Sequence, residues 1–133
     1  MIVADSSVWI EFLRGSDHPV ADTLTELLRS DATVALSEII VMELLAGATS
    51  NEHQRDLRVR LVAFPILRLE GFMDFEEAAL LFRRCKEAGE TIRSLTDCLI
   101  AVPVSRAGAT LLHRDTDFDA IGRHSDLKVH HLE

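Results

Sequence analysis

The chain has 133 residues, of which 47% are hydrophobic, so it is long and apolar enough to bury a core and is not intrinsically disordered. Its formal net charge of −8 argues against a general nucleic-acid binder, because binding to phosphates requires a cationic surface. A nuclease is compatible with this charge, since carboxylates gathered in one site raise the negative count and bound divalent ions offset it.

Five short apolar runs have the length and the polar boundaries of β-strands. They span residues 2–4, 33–36, 66–69, 109–112 and 127–130. Segments with helical spacing of apolar residues separate these runs almost throughout the chain. This alternation predicts an α/β fold, with a central, mostly parallel sheet of four to five strands and helices on both of its faces.

The connecting segments contain capping and terminating residues that set the expected helix ends. The first predicted helix follows a cap at Ser6 or Ser7 and ends at Gly15, and the second contains Val20 and Leu24 and stops near Ser30. The third, over 38–46, follows a cap at Ser37, and the fourth runs from a cap at Asn51 to a point before Pro65. Two more helices are predicted over 72–88 and from the region of Asp97 to residue 106 or 107. The helix over 72–88 has one apolar face, made of Phe72, Phe75, Ala79, Phe82 and Cys85. Residues 113–119 are predicted to form a polar loop.

Three acidic residues follow two of the predicted strands directly. Asp5 comes after the first strand, and Asp115 and Asp117 come after the fourth. In open α/β sheets, ligands bind beyond the carboxyl ends of the strands, so these acids are expected on one rim. Asp5 alone has an alternative role as the N-cap of the first helix, because Asp is a preferred capping residue.

Two further carboxylates lie at positions that need an explanation. Glu43 shares a helix face with Ile39, Ile40 and Ala46, so burial without a partner would be costly. Its partner is predicted to be a metal or a donor network, and a salt bridge to an arginine is the alternative. Asp97 begins an apolar helix, and the pattern from Ser94 to Asp97 also matches a capping box.

Together these acids predict a metal site, because clustered carboxylates repel one another without a counter-charge. Hard oxygen ligands favour Mg²⁺ or Mn²⁺ over zinc. The histidines have no zinc-finger spacing and are predicted to be surface residues: His18, His53, His113, His124, His130 and His131.

Four segments carry a family resemblance, and they are residues 1–10, 42–47, 94–101 and 112–118. In this order they resemble the PIN-domain ribonucleases, and more closely the VapC toxins of bacterial type II toxin–antitoxin pairs. The resemblance covers essentially the whole chain and implies a single PIN domain over residues 1–133, built as an α/β/α sandwich. By position, the family's acidic quartet corresponds to Asp5, Glu43, Asp97 and Asp115, and Asp117 is a fifth acid that shares or replaces the role of Asp115.

The resemblance implies cleavage of RNA by an endoribonuclease that uses Mg²⁺, with Mn²⁺ as a substitute. For many such toxins the RNA is a tRNA or rRNA, and its cleavage stops translation. The resemblance also implies a VapB antitoxin whose C-terminal segment crosses the active site, and a homodimer that becomes a heterotetramer or hetero-octamer with the antitoxin. Apolar residues of the first two helices, namely Trp9, Phe12 and Leu24, are candidates for the dimer interface.

Weaker candidates for contacts with the substrate are Ser6, Thr96, Arg14, Arg93 and Arg114. For the arginines, surface salt bridges are the alternative. For the whole chain, the alternative from another class is a catalytically inactive PIN-like module that only binds a partner. A metal-dependent phosphatase is a third hypothesis.

The composition also predicts a cytoplasmic protein. No apolar run approaches the roughly 18 residues of a membrane span, and residues 1–5 have no basic or long apolar signal sequence. Cys85 and Cys98 lie in helix-like segments and are expected to be reduced core residues.

Overall fold

A computed structural model of the protein describes residues 1–130, so His131 lies outside the described part. The elements are the strands β1 (Ile2–Ala4), β2 (Val34–Ser37), β3 (Ile66–Leu67), β4 (Thr110–Leu112) and β5 (Lys128–Val129), and the helices α1 (Ser6–Arg14), α2 (Pro19–Arg29), α3 (Glu38–Ala46), α4 (Asn51–Leu61), α5 (Phe72–Glu87), α6 (Leu95–Arg106) and α7 (Thr116–Arg123). Within residues 1–130, no helix combines the length and the apolar character that crossing a membrane requires.

The five strands form one parallel sheet in the order β3-β2-β1-β4-β5. Strand β1 lies at the centre, where Val3 pairs with Ala35 of β2 on one side and with Leu111 of β4 on the other. From β1 the chain builds one half of the sheet outward through β2 and β3, and then crosses to β4 and β5. The carboxyl ends of β1 and β4 therefore flank the point where the strand order reverses, which is where open α/β sheets bind ligands.

Helices cover both faces of the sheet, as the sequence predicted. The central strands are fully buried: Val3, Ala35, Leu36, Leu111 and Leu112 have no exposed surface. Strands buried on both faces are typical of parallel sheets. The predicted α/β architecture with four to five strands is confirmed.

Two apolar residues proposed for a dimer interface belong instead to this core. Trp9 is 2% exposed and Leu24 has no exposed surface. The Trp9 ring packs edge-on against Phe12 and Phe64, with ring centroids 5.8 and 5.3 Å away. The prediction of an interface at these residues is wrong, because α1 and α2 use their apolar faces to cover the sheet.

Five of the seven helices described in residues 1–130 start after a residue whose side chain accepts a hydrogen bond from a free main-chain N–H. Ser37 caps α3 as predicted, accepting a hydrogen bond from the Ile40 N–H at 3.3 Å. The predicted cap at Asn51 is wrong, because the preceding Ser50 has the extended backbone of an N-cap and accepts from the His53 N–H at 3.0 Å.

Helix α5 buries only the C-terminal part of the apolar face that its sequence suggested, at Cys85 and partly at Phe82. Phe72 and Phe75 are 77% and 53% exposed, whereas Asp74, Ala78 and Leu81 are buried. A carboxylate at an inward position was not expected from hydrophobic periodicity. The partner of Asp74 is Arg106, at the end of α6 and 32 residues along the sequence, and this pairing fixes the rotation of α5.

The predicted polar loop at 113–119 is wrong in its second half, where α7 begins at Thr116. The run of three acids suggested a loop, but Asp115 is the N-cap and accepts from the Asp117 N–H at 2.9 Å. Phe118 and Ile121 then face the core. Acidic residues in a first turn also complement the helix dipole, so their presence favours a helix here.

Candidate active site

Three carboxylates from two regions of the chain meet at the rim where β1 and β4 end. Asp97 comes from the first turn of α6, and Asp115 and Asp117 come from the start of α7. Each offers an oxygen that lies within 4.8 Å of the oxygens of the other two. We call Asp97, Asp115 and Asp117 the three-acid group.

Asp5 directly follows β1 and is 5% exposed. Its Oδ2 accepts hydrogen bonds from the Ser7 N–H at 3.2 Å and from the Ser7 hydroxyl at 2.7 Å, so Asp5 caps α1. The predicted cap at Ser6 or Ser7 is therefore wrong, and the alternative role considered for Asp5 is correct. Asp5 Oδ1 is buried without a hydrogen-bond partner, which leaves it available for a ligand. Burial raises the pKa of this carboxyl.

Glu43, on α3, is half-buried and lies outside the three-acid group. Its Oε1 accepts from the Ser6 hydroxyl at 3.2 Å. Burial and the nearby Asp5 charge both raise the pKa of Glu43. The alternative of a salt bridge is not realised, because none of the ion pairs in residues 1–130 involves Glu43.

Asp97 is the acid of this rim whose charge has the fewest compensating contacts. It is 8% exposed, and its Oδ2 is buried without a partner. The capping-box alternative is wrong, because the Ser94 side chain makes no capping hydrogen bond to α6. Burial raises the pKa of Asp97 to about 7, with additional contributions from Asp5, Asp115, Asp117 and Glu43.

Asp115 and Asp117 share one cation, Arg93. The Arg93 main-chain N–H donates to Asp117 Oδ2 at 2.9 Å, and its Nη2 donates to Asp115 Oδ1 at 3.1 Å. Arg93 Nε lies 3.5 Å from Asp117 Oδ1. Asp117 is buried, at 6% exposure, whereas 34% of the Asp115 side chain is exposed.

His113 was predicted to be a surface residue, and this is wrong, because it is 8% exposed. Its Nδ1 accepts from the Asp115 N–H at 3.0 Å, so the proton of the neutral ring lies on Nε2, which donates to Asp119 Oδ1 at 3.1 Å. The ring also packs against Phe118, with centroids 5.3 Å apart. His113 thereby holds the loop that carries Asp115. Its position directly after a buried strand was the available sequence signal.

The remaining candidates divide according to their contacts. Arg114 donates to Glu11 Oε1 at 2.7 Å, and Arg14 lies 3.9 Å from the same oxygen, so both form the salt bridges considered as the alternative. Thr96 is exposed and lines a shallow hollow together with the apolar Leu95 and Phe75. Ser6 contacts Glu43, which makes it a residue that orients an acid.

The donor set of this rim suits a hard divalent ion. It offers only carboxylate oxygens, and two of these, Asp5 Oδ1 and Asp97 Oδ2, are buried and unpartnered. Buried carboxylates without partners are costly, and a bound cation removes that cost. The cluster can therefore hold a metal ion, in agreement with the prediction from sequence.

Comparisons with known proteins agree with this fold. Residues 2–124 match the model of the PIN domain family. The chain is 39% identical over 130 residues to Ribonuclease VapC11 of Mycobacterium tuberculosis and to VapC ribonuclease Mb1587 of Mycobacterium bovis, with 97% of each chain covered. Among solved structures, VapBC2 from Rickettsia felis, bound to a DNA fragment from their promoter, is similar with a TM-score of 0.73 and 19% identity over 100% of both chains.

The structural likeness shows a shared fold, and the sequence matches add common descent along nearly the full length. The resemblance that was drawn from four short segments is confirmed. The chain belongs to the PIN-domain family and, within it, to the VapC ribonucleases.

Proposed function

We propose that this chain is the toxin of a type II toxin–antitoxin pair, a metal-dependent endoribonuclease that cuts RNA at the acidic rim. The observation that carries this proposal is the pair of buried, unpartnered oxygens, Asp5 Oδ1 and Asp97 Oδ2, at the rim where β1 and β4 end. They come from elements far apart in sequence. Folding has therefore gathered charge at a cost that a bound cation offsets.

We assign Asp5 and Asp97 as the principal ligands of Mg²⁺, for which Mn²⁺ can substitute, and Glu43, Asp115 and Asp117 as the acids that complete the site. When bound, the ion lowers the pKa of a coordinated water and neutralises charge on the phosphate. All five side chains offer oxygen, which is the donor that both ions prefer.

The rest of the site positions these acids. The Ser7 hydroxyl and N–H fix Oδ2 of Asp5, and this directs the other oxygen toward the rim. The Ser6 hydroxyl orients Glu43 in the same way. Arg93 and Arg114 line one surface hollow beside Asp115. Because Arg114 is paired with Glu11, we assign Arg93 as the side chain that supplies positive charge for the RNA backbone, which the acids alone would repel.

The biological setting follows from membership in the VapC ribonucleases. We infer a tRNA or rRNA as the substrate, inhibition of translation as the effect, and the cytoplasm as the location. A VapB-type antitoxin whose C-terminal segment covers the rim would neutralise the enzyme. A homodimer, and a heterotetramer or hetero-octamer with the antitoxin, are the expected assemblies.

The test is induced expression in a bacterial host of wild type and of Asp97→Asn, with total RNA sequenced for new 5′ ends. The substitution keeps the size of the side chain and removes its charge. We expect wild type to arrest growth and to produce discrete RNA ends that the variant does not produce. Asp22→Asn, which neutralises an exposed acid in the first turn of α2, is the matched control and should behave as wild type.

Purified protein gives a second readout. EDTA should abolish RNA cleavage, and added Mg²⁺ or Mn²⁺ should restore it. RNA left intact by a folded wild-type protein would contradict the proposal and favour the inactive binding module. Hydrolysis of small phosphate esters, without cleavage of RNA, would instead favour a phosphatase.

A further inference from the structure

We propose that Arg93 is a built-in counter-cation, which neutralises Asp115 and Asp117 in the metal-free protein and competes with the divalent ion for them. This inference rests on the metal centre of the proposed function. It adds a side chain that lowers the affinity of that centre for its ion.

The first observation is the geometry of the guanidinium. Arg93 Nη2 lies 3.1 Å from Asp115 Oδ1, and its Nε lies 3.5 Å from Asp117 Oδ1. Across residues 1–130, it is the one cationic side chain that forms an ion pair with the three-acid group. Arg93 therefore occupies the side of the group formed by these two acids.

The second observation is that the compensation is incomplete. Asp97, the third member of the group, forms none of the ion pairs found in residues 1–130, and its Oδ2 is buried and unpartnered. A divalent ion that binds Asp97 Oδ2 lies close to the Arg93 guanidinium, which is paired with the neighbouring Asp115 and Asp117. Two cations within a few ångströms repel each other, so a bound ion weakens the contacts of Arg93 with these acids, and Arg93 in turn weakens the binding of the ion.

The third observation is that the side chain can leave while its backbone stays fixed. The Arg93 side chain is 71% exposed, so it can turn into solvent without unpacking the core. The backbone is held by the bond from the Arg93 N–H to Asp117, and Glu90 of the same loop pairs with Arg123, the last residue of α7, and with His124, which follows it. A released guanidinium would remain at the rim beside the ion.

The experiment compares Mn²⁺ binding by the full chain after removal of metal with EDTA, using calorimetry and the EPR signal of free Mn²⁺. For Arg93→Gln we expect about tenfold tighter binding at low salt and a lower Tm of the metal-free protein. Both differences should shrink at high salt, because the side chain is exposed. Arg93→Lys, which keeps the charge, should bind within about threefold of wild type.

Arg83→Gln is the matched control. Arg83 is 69% exposed and pairs with Glu87 on the surface of α5, so its loss should leave the Mn²⁺ affinity unchanged. Binding by Arg93→Gln that is equal to or weaker than that of wild type would overturn the inference, and a weaker value would mean that Arg93 orients the acids. If wild type itself binds no Mn²⁺, the metal centre of the proposed function fails as well. If wild type binds Mn²⁺ and cuts RNA, a failure of Arg93→Gln to bind more tightly concerns this inference alone.

Discussion

Asp74 and Asp97 occupy the same place in two different helices and have opposite electrostatics. Each is the third residue of its helix, and their exposures are 2% and 8%. Asp74 accepts two hydrogen bonds from Arg106, at 2.5 and 3.0 Å, and one from the Glu70 N–H at 2.8 Å. The bonds from Arg106 lower the pKa of Asp74, whereas burial raises the pKa of Asp97 to about 7.

The difference separates a carboxylate that holds the fold together from one that is reserved for a ligand. Burial is similar in the two cases, so the partner decides the outcome. Helix α6 connects the two sites, because it begins two residues before Asp97 and ends at Arg106. One end of this helix therefore completes a satisfied ion pair, and its other end presents an unsatisfied acid to the rim.

The largest loss of stability is expected from breaking the satisfied pair. Asp74→Asn should lower the free energy of unfolding by about 2–3 kcal/mol, because it leaves Arg106 without its carboxylate, and the value is reduced by the partial exposure of Arg106. Urea unfolding of the metal-free protein measures this change. Asp126→Asn, at an exposed acid that lines the same surface hollow, should change stability by less than about 0.5 kcal/mol. A loss for Asp74→Asn no larger than for Asp126→Asn would refute the assigned role of the pair.

Removing the unsatisfied charge should have the opposite sign. The pKa of Asp97 rises from 3.8 to about 7 on folding, so the native state holds the extra proton between about pH 4 and pH 7. Wild-type stability therefore falls as the pH rises through this window, and Asn at the same position removes that loss. In EDTA, we expect Asp97→Asn to match wild type below pH 4 and to be more stable than wild type above pH 7 by up to about 4 kcal/mol, since one pKa unit corresponds to about 1.4 kcal/mol.

Denaturant unfolding of both proteins from pH 4 to pH 8 measures this difference. Added Mg²⁺ should stabilise wild type alone and so narrow the gap. A constant difference across the whole pH range would show that the Asp97 charge is not the cause.

The smallest effect concerns a bond that orients an acid. Ser6→Ala removes the hydroxyl that donates to Glu43 Oε1, so unfolding free energy should fall by no more than about 1 kcal/mol. We expect RNA cleavage to fall by about threefold to tenfold, because Glu43 loses its orientation. Ser6→Thr keeps the hydroxyl and should restore activity in the same cleavage assay. Equal losses in both variants would mean that the hydroxyl has no orienting role.

The order of strands and helices could be predicted because apolar periodicity and caps are local signals. Strand β1 and helix α3 have the predicted bounds. The start of α3 could be predicted because Ser37 caps it. The start of α7 was missed, because the sequence of Asp115 and Asp117 is equally suited to a loop and to a first turn. The exposure of Phe72 was missed because Asp74 turns inward to reach Arg106, which is 32 residues away.

By itself the sequence determined which acids are available and that strand ends bring Asp5 and Asp115 to one rim. The tertiary structure determined that β1 and β4 are neighbours in the sheet and that α6 brings Asp97 to Asp115 and Asp117. The tertiary structure alone decided which buried acid received a cation. A side chain's local sequence sets its charge, but its solvation and its partners come from elements far along the chain.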